Sequence, residues 1–289
     1  SDLALALTSV IGVIITPILL KGYFGFPALG IIAPAIASII SYIAILIFLA
    51  IYLNKKKHPL RPNRQLLQHI RHNSALSKII LRLGVPTGIQ MITTSMAGLV
   101  IVGLVNRFGA HATAAYGAVN QVLNYIQFPA ISISIAASIF AAQAIGAGKS
   151  DLLARVTRTA LGMNFLFTGA LIALGYLFSK YLMALFITDP TVVVLGQQLL
   201  FIVLWAILFF GAGAIFASIM RASGTVTVPM LINISAILFI EMPCAYWFSS
   251  MWGLKGIWVA YALAFVSLCI IQGLYYQFIW KKKKIKVLI

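Results

Sequence analysis

The chain has 289 residues, of which 62% are hydrophobic and only 9% are charged. A soluble domain is about 45–50% apolar and about 25% charged. This composition therefore excludes a water-soluble protein and indicates a chain that crosses a membrane several times. Its 21 Lys and Arg residues outnumber 4 Asp and Glu residues. In a soluble chain that excess would suggest nucleic acid, but here the basic residues lie between apolar runs, so we expect no nucleic-acid partner.

Eight apolar segments follow one another along the chain, and each is long enough for a spanning helix of about 20 residues. The segments are Leu3–Leu20, Ala28–Leu53, Ile79–Val105, Thr113–Ile145, Val156–Phe178, Val192–Ile219, Val226–Phe248 and Trp252–Ile279. The predicted fold class is an all-α polytopic membrane protein with eight transmembrane helices. The two cysteines lie inside apolar segments and are expected to pack as small hydrophobic residues.

The basic residues divide unequally between the two sides of the predicted spans. Only four lie at one set of span ends, namely Lys21, Arg107, Lys180 and Lys255, and the rest lie at the other set. Because positively charged loops stay in the cytoplasm, the linker after the second span and the lysine-rich C-terminus are predicted to be cytoplasmic. The protein is expected in the plasma membrane (the bacterial inner membrane), with its basic ends against anionic lipid headgroups.

An internal repeat relates the two segments that end in lysine runs. Lys55–Lys57 match Lys281–Lys283 at an offset of about 226 positions, and the same offset pairs Pro17 with Pro243 and Gly30 with Gly256. Such repeats are typical of secondary transporters. The offset predicts a twelve-helix protein of two six-helix lobes, of which this chain is expected to be an N-terminally truncated fragment.

The repeat divides the chain into three predicted parts. Residues 1–57 would form the last two helices of the first lobe, residues 58–78 a cytoplasmic linker, and residues 79–289 the complete second lobe with its basic tail. Both lobes begin and end on the same side, so the repeats are parallel.

Three glycine-containing motifs carry a family resemblance. The segment Leu83–Gln90 is expected to open the third span, Gln143–Lys149 closes the fourth, and Met220–Met230 joins the sixth to the seventh. In this order they resemble motifs of the multidrug and toxic compound extrusion (MATE) family, although Thr225 replaces an aspartate of that pattern. The residues that match the motifs are Gly84, Pro86, Gln143, Gly146, Gly148, Arg221, Gly224 and Pro229.

The resemblance implies a secondary active exporter whose two lobes alternate in access to the two sides. It would exchange H⁺ or Na⁺ for small amphipathic or cationic organic substrates. We expect a monomer with no cofactor, no metal site and no enzymatic activity. Acids that two branches of the family use for coupling are absent from this chain, where Thr16 and Pro17 stand in one span and Thr93–Ser95 in another.

Glu241 is the one acidic residue placed well inside a predicted span, about 10 Å from its outer end at 1.5 Å per residue. Charged groups inside the bilayer are costly and are therefore functional candidates. Burial favours the neutral form of a carboxyl group, which suits a proton carrier. Glu241 is the candidate coupling residue, but it could also be a structural partner for a neighbouring helix or a carboxyl group near the outer interface. Coupling would then rest on an acid in the four spans that are expected to precede this fragment.

Uncharged polar and aromatic side chains within the spans are candidates for a substrate cavity, since they favour organic cations through apolar and cation–π contact. Each could equally be a hydrogen-bonding or packing residue between helices. The candidates are Gln90, Thr94, Asn120, Gln121, Tyr125, Asn164, Asn233, Gln272 and Tyr276.

Two other functions are considered beside the exporter. A lipid-linked saccharide flippase of the same superfamily should place cationic residues in its cavity to meet a pyrophosphate, and none lies at the centre of a predicted span. A non-transporting membrane scaffold should carry a soluble input domain, and the stretch Asn54–Lys78 is too short for one.

Overall fold

The computed structural model describes residues 2–22, 30–56, 74–149 and 151–282. These residues form helices joined by short turns, with no strand among them. The helices are α1 (Asp2–Lys21), α2 (Ala33–Lys55), α3 (Ser74–Asn106), α4 (Ala110–Gly146), α5 (Asp151–Leu177), the short α6 (Ser179–Ala184), α7 (Pro190–Ala222), α8 (Thr227–Trp252) and α9 (Leu254–Trp280). Most of the predicted linker 58–78, the start of the span Ala28–Leu53 and the tail beyond Lys282 lie outside the described residues.

Seven helices in the described part, α2 to α5 and α7 to α9, are long and apolar enough to cross a membrane. The helix α1 is an eighth apolar helix, with a described apolar stretch of Leu7–Lys21. The predicted all-α polytopic fold is confirmed, and the eight predicted segments correspond to these eight helices. Large apolar side chains such as Phe239 and Leu177 are 76% exposed, as expected for surfaces that contact lipid.

The chain divides into two compact units, residues 1–77 and 78–289. In the first unit α1 packs against α2, with Leu19, Ala33 and Ala37 buried between them. Whether these units correspond to parts of two transport lobes stays a prediction.

The second unit is built around α7, which packs against α4 and α9, while α8 packs against α9. The centre is filled by side chains with no exposed surface, including Val119, Leu199, Val203, Leu204 and Ile257. Burying such side chains stabilises the packing through close contacts between many atoms. The helices of this unit therefore hold their polar residues in fixed positions relative to one another.

Three helices of the second unit contain π-helical segments, in which each backbone bond spans five residues rather than four. The segments are Asn164–Thr168 in α5, Ile237–Glu241 in α8 and Tyr275–Trp280 in α9. Such segments are rare and frequent at functional sites. Three of the residues singled out from the sequence lie in them: Asn164, Glu241 and Tyr276.

The sequence predicted a third span from Ile79 that opens with the motif Leu83–Gln90, but the helix starts earlier. The helix α3 begins at Ser74, and Pro86 lies inside it. Proline within a membrane helix is tolerated because neighbouring groups and local adjustments satisfy the carbonyl group that it leaves free. The position of a proline was therefore a poor guide to the start of this helix.

Candidate functional site

Glu241 lies at the end of the π-helical segment of α8, and only 9% of its surface is exposed. Pro243 follows two residues later, in the next turn. No Lys, Arg or His side chain of the described residues forms an ion pair with the Glu241 carboxyl group. A buried carboxylate without a cationic partner is costly, so protonation or the binding of a cation lowers its energy.

Three aromatic residues, of which Tyr116 and Trp258 are buried and Tyr261 is half-buried, form a cluster that extends from α4 to α9. The hydroxyl groups of Tyr116 and Tyr261 are hydrogen-bonded at 3.1 Å. The Trp258 ring lies 5.4 Å from the ring of Tyr116 and 5.5 Å from that of Tyr261, centre to centre. Tyr261 is close enough to Glu241 for an electrostatic interaction between them. The cluster therefore connects the acid on α8 to a polar pair between two other helices.

A polar cavity of about 430 Å³ lies between α3, α4, α7, α8 and α9. Its polar lining residues are Gln90, Ser134, Ser138, Ser218, Arg221, Asn233 and Gln272. Arg221 stands one residue before the end of α7, so the cavity opens near the end of the unit that also carries Lys149. We call this the basic end of the unit.

The polar groups of this cavity are only partly paired. Arg221 donates a hydrogen bond from Nη2 to Gln90 Oε1 at 2.9 Å, but its Nε is buried without a partner among the described residues. Gln272 donates from Nε2 to the Pro229 carbonyl oxygen at 3.1 Å, while its Oε1 is buried and unpaired. Asn233 Oδ1 is unpaired as well. The cavity thus holds one donor and two acceptors that lack partners.

The glycine motifs form the turns that close this end of the unit. Gly148 and Gly224 have φ of +68° and +80°, a left-handed conformation that glycine adopts without strain. The Ser223 hydroxyl oxygen accepts a hydrogen bond from Trp280 Nε1 at 3.1 Å. This contact ties the loop between α7 and α8 to α9, and the bond from Gln272 to the Pro229 carbonyl oxygen ties the first turn of α8 to α9. The motif is therefore held to α9 on both sides of Gly224.

The other sequence candidates lie away from this cavity. Gln121 lines an open pocket at the opposite end of the unit, and Tyr125 lines a separate apolar pocket. The side chains of Thr94 and Asn120 bond to the backbone of their own helices. Asn164 donates to the Leu208 carbonyl oxygen at 3.1 Å, and the Tyr276 hydroxyl pairs with Thr157 at 2.7 Å, so both join neighbouring helices.

Asp189 caps the start of α7 at the end of the unit opposite to Arg221. Its Oδ1 accepts hydrogen bonds from the Thr191 hydroxyl group at 2.7 Å and from the Thr191 backbone at 2.8 Å. These bonds, with the side-chain bond as the larger cause, hold the pKa of the Asp189 carboxyl group below its ordinary value of 3.8. His111 lies 3.6 Å away and is mostly exposed, so this pair contributes little. Asp189 is therefore a structural cap.

Arg221 lines the cavity, although the sequence placed it in a family motif and not among the candidates for a substrate cavity. Hydropathy assigned it to a loop because it stands at the end of an apolar run. Its guanidinium group bonds to Gln90 of α3 and lines one cavity with polar residues of α4, α8 and α9. The bond to Gln90 joins residues far apart in the sequence, and no local pattern reports it.

The sequence of the chain is similar to that of known proteins. The family model MatE matches residues 86–247. The probable multidrug resistance protein YoeA of Bacillus subtilis (strain 168) is 45% identical over 288 residues, which cover 99% of this chain and 62% of that protein. The probable multidrug resistance protein NorM of Bacillus cereus is 26% identical over 273 residues, covering 91% of this chain and 60% of that protein. The chain thus spans about three fifths of these relatives.

Solved structures show the same fold. A variant of the Vibrio cholerae MATE transporter VcmN superposes with a TM-score of 0.85 at 18% identity, over 98% of this chain and 62% of that one. A MATE structure in the bent conformation superposes with a TM-score of 0.82 at 19% identity, over 95% of this chain and 60% of that one. With the matched family model and the resemblance to YoeA, these findings show that the chain is a multi-span membrane protein that belongs to the MATE family.

Proposed function

We propose that the full-length protein is a secondary active exporter of small amphipathic or cationic organic molecules, driven by the inward movement of H⁺ or Na⁺. Residues 1–57 belong to its first lobe, residues 58–78 to a cytoplasmic linker and residues 79–289 to its second lobe. The names of the relatives as multidrug resistance proteins support the export of organic molecules.

The buried Glu241 carboxyl group is the observation that carries the coupling part of the proposal. It has no basic partner among the described residues, and Tyr261, which is hydrogen-bonded to Tyr116, is close enough to interact with it. An ion that binds this carboxylate neutralises a charge that is otherwise costly to hold inside the bilayer. The π-helical segment gives α8 a place where its backbone bonding can change when the ion binds or leaves. Export would follow as the two lobes alternate.

The decisive experiment measures efflux of a fluorescent organic cation from a host that lacks its own pumps. The proton gradient and the sodium gradient are collapsed separately in cells with the full-length protein. Efflux should stop when one of the two gradients is removed, and that gradient identifies the coupling ion. The exporter proposal would be refuted if efflux persisted after each of the two gradients was collapsed, or if no organic cation was exported at all.

Glu241→Gln tests the role of the carboxyl group within the same assay. Glutamine keeps the shape of the side chain but cannot exchange a proton or hold Na⁺ with a charge. We expect gradient-driven efflux to fall at least tenfold, while the protein still reaches the membrane in wild-type amounts. Asp151→Asn is the matched control, since Asp151 is an exposed acid at the start of α5. Undiminished coupled efflux in Glu241→Gln would remove this residue from the mechanism.

The flippase is a second candidate because Arg221 places a cation in the polar cavity. A pyrophosphate carries at least two negative charges and is recognised by several cationic groups. Arg221 is the one charged residue among those that line this cavity in the described part of the chain. One guanidinium group suits a single anionic group better than a pyrophosphate, so the exporter remains the first choice.

A further inference from the structure

The cavity around Arg221 contains several buried polar atoms that have no hydrogen-bond partner among the described residues. Within the described residues, four buried side-chain atoms have no hydrogen-bond partner, and three of them belong to residues that line this cavity. A buried donor or acceptor without a partner is costly, and native proteins keep few of them. Their concentration in one cavity indicates a place where another molecule supplies the missing bonds.

The charge of the cavity indicates which group that molecule carries. The Arg221 guanidinium bonds to the neutral Gln90, and no Asp or Glu side chain of the described residues forms an ion pair with it. A guanidinium group offers five donors in a planar fork that matches carboxylate and phosphate oxygens. Such a group repels a simple cation and attracts an anionic oxygen.

The two unpaired amide oxygens add a second requirement. The Gln272 side chain already donates to the Pro229 carbonyl oxygen, which fixes its Oε1 as an acceptor. Asn233 Oδ1, six residues into α8, is an acceptor in the same cavity. Both are satisfied by N–H or O–H groups of a ligand. The volume of about 430 Å³ lies within the range of sites for small organic molecules.

We infer that the cavity at Arg221 binds a carboxylate or phosphate group of an organic ligand whose N–H or O–H groups reach Asn233 and Gln272. This inference rests on the proposed export function, since it names the class of substrate. It favours zwitterionic molecules with an anionic group over purely cationic ones. The anionic group could belong to a dissolved substrate or to a lipid headgroup, and the experiment below separates the two.

The test compares two probes that differ only in the anionic group. An N-ethylamino rhodamine dye is used as its free carboxylic acid, which is a zwitterion at neutral pH, and as its ethyl ester, which is a cation. Binding to the purified full-length protein in neutral detergent is measured by fluorescence polarisation. We expect the wild-type protein to bind the acid about tenfold more tightly than the ester, a ratio that corresponds to about 1.4 kcal/mol.

Two substitutions assign the preference to one residue. Arg221→Gln should bind both forms with the affinity that the wild-type protein has for the ester, and this retained binding shows that the variant folds. Arg158→Gln is the matched control, because Arg158 is an exposed arginine near the same basic end, outside the cavity lining. It should keep the tenfold preference for the acid.

Equal affinities of the wild-type protein for the acid and the ester would overturn the inference, and this comparison requires no variant to fold. A preference that survives in Arg221→Gln would overturn it too. Phosphatidylglycerol added to the micelles identifies the source of the group: displacement of the acid but not the ester assigns it to a lipid headgroup, and no displacement assigns it to a dissolved substrate. Gradient-driven efflux of the ester tests export separately, so the two proposals can fail independently.

Discussion

Substitution of Gly256 by alanine should destabilise the protein because the backbones of α8 and α9 meet there. A Cβ atom at Gly256 would overlap the carbonyl group of Phe248 and come within 2.7 Å of the Ser249 backbone nitrogen. The preferred separation of non-bonded atoms is about 3.5–4.0 Å. Backbone atoms cannot rotate out of the way, so the two helices would have to move apart.

The size of the effect follows from two opposing contributions. Overpacking in a tight interior costs about 1–3 kcal/mol, and a clash with backbone belongs at the upper end of that range. Alanine is better than glycine inside a helix by about 1 kcal/mol. The free energy of unfolding should therefore fall by about 2 kcal/mol. At about 2–4 °C per kcal/mol, the melting temperature should fall by about 4–8 °C.

Two further glycines provide the controls for this measurement. At Gly169 a Cβ atom would lie 3.9 Å from Leu208 Cδ1, an ordinary contact, so Gly169→Ala should match or slightly exceed wild type. At Gly196 the Cβ atom would overlap the terminal methyl group of Met183, a flexible side chain that can move, so Gly196→Ala should lie between the two. Melting of purified full-length variants is followed by size-exclusion chromatography after heating. If Gly256→Ala melted with Gly169→Ala, the close approach of α8 and α9 would be refuted.

Two further predictions concern polar contacts of the same unit. Asp189→Ala should lower the melting temperature near neutral pH. The pKa of this carboxyl group is lowered in the folded protein, so the carboxylate stabilises the fold fully at pH values above its ordinary pKa of 3.8. This stabilisation is lost as the pH falls through the lower pKa of the folded state, so the difference from wild type should shrink below pH 3.8. A pH-independent difference would contradict this reasoning. Tyr276→Phe should cost about 1 kcal/mol through the lost bond to Thr157, measured by thermal melting. The double variant with Thr157→Val should melt at a higher temperature than the sum of the two single effects predicts, and strict additivity would argue against the bond.

The spanning helices were predictable because a run of about 20 apolar residues has few alternatives to a membrane helix. Several turns were also marked by glycine, and Gly109, Gly148, Gly224 and Gly253 all have positive φ. The start of α3 was not predictable in this way, because its first turns are polar and basic and Pro86 lies inside the helix. The turns of the repeat also differ in detail. Gly30 has φ of +51°, but in the second copy the positive φ falls on Gly253 rather than on Gly256.

The cavity residues were only partly accessible to sequence reasoning. Polarity inside an apolar segment selected Gln90, Asn233 and Gln272, which line one cavity. The same criterion selected Asn164 and Tyr276, which join neighbouring helices through hydrogen bonds. The sequence does not distinguish the two groups, because the choice depends on which helix stands opposite. The π-helical segments were hidden as well, since they have no known signature in composition.

The two proposed sites lie on one helix, and this placement bears on how coupling would work. Asn233 and Glu241 are eight residues apart in α8, about 12 Å at 1.5 Å per residue. The π-helical segment Ile237–Glu241 begins four residues after Asn233 and ends at Glu241, and Pro243 follows two residues later. A link between ion and substrate requires an element with two arrangements that both sites influence. Within the second unit, α8 carries one residue of each proposed site, Asn233 and Glu241, and the π-helical segment adjoins Glu241. A change in the charge of Glu241 that alters the backbone bonding of this segment would therefore move Asn233 in the cavity at Arg221.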